Sequence, residues 1–300
     1  MRGLRCWSLR SAERPRAYIL SARGAKASGC SPSSVREGVR DLWKRAMAAA
    51  SGKSKVKTEI FGVTLDMLTM DQSVERCTEL IEIGQPAQHV VINAGKVAMM
   101  HDKPHLKEII SRCQMVNADG QSVVWASRLK GHPVPERVAG IDLMHKLLER
   151  AEQRGWPTYF LGAREEVLQA CLAAFRIKYP ELVVAGYQHG YFSDDKLVAQ
   201  QIREAGTRLL FVGISSPKKE EFLSEHLKHM GPVFAMGVGG SFDVVAGLTK
   251  RAPLWMQKSG LEWAYRLGQE PGRMWKRYLF GNARFINLVI KEERRRVPRN

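Results

Sequence analysis

The chain has few cysteines and no arrangement among them. Cys6, Cys30, Cys77, Cys113 and Cys171 are scattered over 300 residues without a CxxC pair, which excludes a disulfide framework and suits a reducing cytoplasm. No apolar run approaches the roughly 18–20 residues that a membrane-spanning helix needs, so an integral membrane protein is excluded. The histidines include His101-x3-His105 and His226-x2-His229, but no HExxH and no companion cysteines, and they do not read as metal ligands. A D-x-D triplet, which would hold a divalent cation on a nucleotide-sugar diphosphate, is missing. So are a GxSxG elbow and a P-loop, which argues against a hydrolase or an NTPase. The first strand-to-helix turn, "VINAGK", lacks the GxGxxG spacing of a dinucleotide fold.

Acidic residues are also scarce in places. The formal charge is +17, and it is concentrated at the two ends. Residues 1–57 carry a net of about +11 and residues 249–300 about +9, which leaves the middle near −3. A nearly neutral body between basic ends does not resemble a nucleic-acid-binding module. It fits contacts with phosphates or an anionic membrane surface.

The patterning divides the chain into three parts. Residues 1–56 are rich in Arg, Ser, Ala and Gly, lack the apolar core of a secretory signal, and are expected to be a disordered basic segment. They read either as transit-like or as an over-extended reading frame, with Met47 as an internal start. Residues 57–248 begin with a hairpin-like pair around Gly62 and continue as alternating short strands and helices. Strands are expected at 89–93, 114–117, 158–161, 182–187, 209–212 and 233–236. Helices are expected at 96–112, 122–129, 141–154, 165–179, 194–205 and 218–229. This alternation indicates an α/β fold, a Rossmann-like, mainly parallel sheet covered by helices on both faces. Residues 249–300 read as a helical, basic C-terminal appendage in which Trp255, Trp263 and Trp275 are interleaved with arginines, as in an interfacial helix.

Several polar residues fall at the expected C-terminal ends of strands, where parallel sheets gather their chemistry. Asp119, in "MVNADGQSVV", either caps the following helix or serves as a base. Asn93 leaves a strand in "VVINAGKV". In "VGISSPKKEEF", Pro217 and the acids Glu220 and Glu221 suit a helix start, while Lys218 and Lys219 at that helix N-terminus would attract a diphosphate. In "FAMGVGGSFDVVAG" the turn containing Gly239 and Gly240 exposes backbone N–H groups to a phosphate or sugar, with Asp243 just beyond. These positions would share one crevice, with Asn93, Lys219, Glu220, Gly239, Gly240 and Asp243 on the donor side. Asp194-Asp195 opens a predicted helix and reads as a cap.

The stretch "NADGQSVVWASRLKGHPVPERVAGIDL" resembles the central signature of the WecG/TagA/CpsF glycosyltransferase family. "SPKKEEF", "GVGGSFDVVAG" and "KRAPLWMQKSGLEWAYRLGQEPGRMWKRYL" continue that resemblance in the same order, over about residues 57–290. The resemblance implies an inverting, metal-independent transferase without a cofactor. It would move a sugar from a UDP donor, often of the N-acetylmannosamine type, to a saccharide on undecaprenyl diphosphate in surface-polysaccharide synthesis. The family's base falls on Asp119, its donor-site residues on Asn93 and Asp243, and its diphosphate-engaging arginines on Arg266, Arg273 and Arg277. The chain departs from the family pattern at Val91, where Thr is frequent, and at Lys219, where Gln is frequent. Both positions adjoin the expected donor pocket, so another hexose or a uronic acid is open as donor. Implied partners are the UDP-sugar, the lipid-linked acceptor and an anionic membrane, with no nucleic acid and a homo-oligomer allowed for. The implied location is cytoplasmic, peripheral on the inner face of the membrane.

The chemistry agrees with this assignment of Asp119. Inversion needs one carboxylate to take the proton of the attacking hydroxyl, and the departing diphosphate needs cations or aimed N–H groups. Two other readings compete. A nucleotide-cofactor oxidoreductase shares the α/β pattern, and a nucleic-acid-binding protein shares the charge. The missing fingerprint argues against the first and the neutral body against the second.

Overall fold

The structure, a computed structural model, describes residues 57–131 and 133–296. The segment expected to be disordered, residues 1–56, lies outside the described residues.

The described chain opens with an antiparallel hairpin of β1 (Lys57–Ile60) and β2 (Val63–Asp66). Phe61 and Gly62 at its tip both have positive φ. Helix α1 (Met70–Ile83) follows, fixed by a reciprocal capping box between Thr69 and Gln72 and ended by Gly84 in the left-handed region. This helix was not among the expected elements. Strand β3 (Ala87–Ile92) leads to α2 (Ala94–Asp102) and α3 (Pro104–Ser111). The sequence pattern suggests one helix over 96–112, but the chain breaks at Lys103 because Pro104 offers no N–H and its ring obstructs the preceding turn.

The remaining sheet strands are β4 (Met115–Ala118), β5 (Thr158–Gly162), β6 (Val184–Gln188), β7 (Leu209–Gly213) and β8 (Phe234–Gly237). Between them run α4 (Gln121–Leu129), α5 (Gly140–Arg154), α6 (Glu165–Lys178), α7 (Asp195–Glu204) and α8 (Lys218–His226). Asp194 caps α7 by accepting from the Leu197 N–H, as its position suggested. The short α9 (Ser241–Val245) follows β8, and then α10 (Leu254–Lys258), α11 (Glu262–Gln269) and the long α12 (Pro271–Arg296).

The six strands form one sheet in the order β4-β3-β8-β7-β5-β6, with every pairing parallel. Parallel strands require crossovers, and the helices that supply them bury both sheet faces. On one face Phe160 stacks on Phe175 and Phe211 and tilts against Phe242. On the other, Tyr159, Leu161, Leu210 and Val212 pack against α7 and α8. A further apolar cluster joins the hairpin, β3, β4, α2, α3 and α4. Helix α12 belongs to it: Phe285 is buried and its ring lies 5.3 Å from that of Phe61. Gly281 of α12 comes so close to α2 that an added Cβ would lie 3.8 Å from the Gly95 Cα. The C-terminal helices thus pack against the β3–α2–β4 region, next to the strand ends.

Candidate active site

The chain leaves β3 toward β4 but reaches β8 from β7, so the crossovers diverge on either side of the β3–β8 pair. Divergence opens a crevice at the strands' carboxyl ends, the usual ligand position in open α/β sheets. A crevice of about 440 Å³ is found there. Asn93, Asp119, Lys219, Gly239, Gly240, Asp243 and Arg266 all line it. Glu220 is fully buried beneath the floor. Arg273 and Arg277 lie on α12, and their side chains are outside the described residues.

Asp119 follows β4 directly, and its own N–H donates to the Ile92 carbonyl at 2.9 Å. It is not the helix cap, because Gly120 holds that position and no side chain caps α4. The capping reading therefore falls away. About a quarter of the side chain is exposed, toward the crevice. Burial pushes its pKa up to about 6, against the opposing pull of Arg137 and a hydrogen bond from the Gly140 N–H. The nearest guanidinium nitrogen, Arg137 Nε, is 3.8 Å from Oδ1, while Arg137 Nη2 is 2.7 Å from Glu262. Arg137 is thus oriented by Glu262 on α11 and not captured by Asp119. A carboxylate that is partly desolvated, poised near neutral pH and open to a crevice has the properties of a general base.

The crevice floor is cationic. Lys96 on α2 donates to Glu220 Oε1 at 2.7 Å. Lys219 donates to Ser216 Oγ at 2.7 Å and lies 3.2 Å from the same carboxylate oxygen. Burial alone would raise the Glu220 pKa, but Lys96 and Lys219 hold it below the ordinary value. Two ammonium groups thus meet at one carboxylate oxygen beneath the site. The Lys219 stem crosses Gly237, where any Cβ would come 2.5 Å from Lys219 Cε. Asn93 caps α2 by accepting from the Lys96 N–H at 3.0 Å, which sets the start of the helix carrying that lysine.

The glycine-rich turn also lines the crevice. Gly239 has φ +53°, a conformation that favours glycine, and the turn leads into α9 with Asp243 in its first turn. Gly240 lies between Asp243 and Arg266: a Cβ there would be 3.4 Å from the carboxylate and 3.6 Å from the guanidinium. Arg251 also borders the crevice, fixed by a bidentate pair with Asp142, both contacts 2.6 Å.

Lys96, Arg137, Arg251 and Glu262 all lie inside quoted motifs, Arg251 and Glu262 in the stretch that carries the family resemblance, but none has a site role from sequence. None sits at a strand end, and only the folded chain brings them to the crevice. Among the described residues, no group of three or more His, Cys, Asp or Glu side chains is arranged to hold a metal ion.

A second depression adjoins the first. It measures about 590 Å³ and runs between α4 and α12. Its walls include Trp125, Leu129, Trp263, Ile286 and Ile290, and it shares Asp119, Arg137, Glu262 and Arg266 with the polar crevice.

Comparison with known proteins bears on the chemistry. The family model described as "Glycosyl transferase WecG/TagA/CpsF family" matches residues 58–299. An N-acetylglucosaminyldiphosphoundecaprenol N-acetyl-beta-D-mannosaminyltransferase of Bacillus subtilis (strain 168) is 37% identical over 188 residues, covering 62% of this chain and 72% of that protein. A protein of the same name from Staphylococcus aureus (strain MW2) is 32% identical over 234 residues, covering 77% of this chain and 90% of its own.

Proposed function

Because this chain belongs to the WecG/TagA/CpsF glycosyl transferase family and is a glycosyltransferase, we propose that it transfers a sugar from a UDP donor to a saccharide carried on a polyprenyl diphosphate. The relatives' names supply the acceptor class and suggest N-acetylmannosamine as the sugar. The observation that carries the reading is the position of Asp119, a partly desolvated carboxylate at the junction between a cation-floored crevice and an apolar groove.

In this reading the donor diphosphate sits over Lys96 and Lys219 and against the Gly239–Gly240 turn, near Arg266. The acceptor hydroxyl oxygen attacks the anomeric carbon from the face opposite UDP, and the bond from that carbon to the β-phosphate oxygen breaks. Asp119 takes the hydroxyl proton, and UDP departs with the electron pair of the broken bond. Attack from the opposite face inverts the anomeric centre. Lysines, arginines and backbone N–H groups meet the charge growing on the leaving diphosphate, so no metal ion is required. The protein would act peripherally on the inner face of the cytoplasmic membrane. Support for that placement comes from exposed Trp255, Trp275 and Phe280 on the basic C-terminal helices.

The test is transfer from a panel of UDP-sugars to a GlcNAc-diphosphate-lipid acceptor, with and without EDTA, reading the product's anomeric configuration. The expected result is an inverted product, unaffected by chelator, with UDP-N-acetylmannosamine as the best donor. A retained configuration, or a rate that EDTA abolishes and Mg²⁺ restores, would overturn the mechanism.

A further inference from the structure

We infer that the groove between α4 and α12 holds the first isoprene units of the acceptor's polyprenyl chain, so that the protein recognises the lipid itself as well as the sugar on it. The inference rests on the proposed lipid-diphosphate acceptor and adds a site for its tail.

The argument begins at Asp119. If donor and acceptor meet at this carboxylate and the donor lies over the strand ends, the acceptor must enter from another side. The groove opens there, sharing Asn93, Asp119, Arg137, Glu262 and Arg266 with the crevice. Its lining changes with distance from the base. Gln121 and Ser122 at the start of α4, with Asn282 on α12, make the near end polar. Trp125 and then Leu129 lie one and two turns farther along α4, and Phe285–Ile286 and Val289–Ile290 follow in step on α12. From Gln121 to Leu129 the helix advances about 12 Å at roughly 1.5 Å per residue. The order of groups is that of the acceptor: sugar at the base, diphosphate beside the polar near end, hydrocarbon beyond.

Exposure supports an occupant. Leu129 is 70% exposed, Ile286 57%, Trp125 51% and Ile290 46%, all facing one groove. Such a concentration of exposed apolar side chains beside a catalytic carboxylate marks a binding surface. A hydrocarbon chain needs no hydrogen-bonding partners, and among the described residues the far end of the groove is lined by the apolar side chains of Leu129, Ile286, Val289 and Ile290. The volume of about 590 Å³ falls within the range of pockets that enclose small organic ligands.

The experiment uses the full chain and GlcNAc-diphosphate acceptors bearing methyl, one-isoprene and farnesyl tails, below their micellar concentrations and without membranes. Binding is followed by tryptophan fluorescence and transfer by kcat/KM. The expected result is at least a tenfold gain from methyl to farnesyl in both readouts. Leu129→Glu should erase most of that gain, and Ile177→Glu, at an exposed apolar site on α6, should keep it. Transfer without tail dependence would overturn the groove and leave the reaction standing. Tail-dependent binding without transfer from any UDP-sugar would retain the groove and overturn the reaction. Loss of vesicle binding by Leu129→Glu with the tail gain intact would show instead that this face only docks on the membrane.

Discussion

The polar crevice and the apolar groove share one boundary and are built in opposite ways. The crevice gathers short motifs, each placed by the strand before it: Asn93 after β3, Asp119 after β4, Ser216 and Lys219 after β7, and the glycine turn after β8. The groove sets one helix from the middle of the chain against another from its end, and no short motif announces it. The difference fits the ligand proposed for each. Phosphates and reacting hydroxyls need aimed donors and charges, which backbone turns supply locally. A hydrocarbon chain needs only contiguous apolar surface, which two distant helices supply by packing.

Asp119 stands where the two regions meet, and its replacement has the largest expected effect. Asp119→Asn should lower kcat by about 10²–10⁴, the usual contribution of a general base, with every acceptor tail alike. Its folded pKa of about 6 lies above the ordinary value of 3.8, so ionisation of this carboxyl opposes folding. That penalty is absent below the unfolded value and fully present above about pH 6. Removing the charge should therefore stabilise the protein by on the order of 1–3 kcal/mol at pH 7. Calorimetry should show an unchanged or raised Tm; a lowered Tm together with unaltered turnover would assign Asp119 to structure.

Glu220→Gln separates the regions, since Glu220 serves the crevice floor alone. It leaves Lys96 and Lys219 buried against a neutral amide, and breaking a buried pair costs about 3–5 kcal/mol when one partner is lost outright. At roughly 2–4 °C per kcal/mol, Tm should fall by about 6 °C or more. UDP affinity should change while the farnesyl-to-methyl ratio persists. The Glu220 pKa is held down in the folded state, so its stabilisation is present above the unfolded value and is lost as pH falls through the folded one. The variant should lack that part of the acid sensitivity. Identical acid-unfolding curves for variant and parent would disprove the charged floor.

The smallest effect lies at the boundary. The acid limb of kcat/KM should fall near pH 6, with activity lost as Asp119 is protonated below it. Arg137 lowers the Asp119 pKa, so Arg137→Met should move that limb toward neutral pH. A limb that stays in place would show that Arg137 does not tune the base.

Much of the fold was legible because its signals are local. Alternating apolar strands and helices specify a parallel sheet through short-range periodicity and the cost of unpaired backbone, and the six strands lie close to where the pattern puts them. The break at Pro104 and the capping box at Thr69 are equally local signals, but apolar periodicity alone runs through the first and does not mark the second. The strand-end residues of the crevice were legible for the same reason, because a residue's place at a strand end follows from its own neighbours. By position alone Asp119 suits a cap or a base, and the resemblance and the chemistry favour the base; the fold gives the cap position to Gly120 and places Asp119 in the crevice lining.

The amino-acid sequence by itself determined the sheet, the polar residues at its edge, the basic ends and the family. Tertiary structure decided what depends on long-range packing. It brings Glu262 to Arg137 across 125 residues and Glu220 under Lys96 across 124. It also lays α12 along α4 to form the groove. Burial, pKa and electrostatic pairing depend on the distance between atoms, and distances between remote residues exist only once the chain has folded.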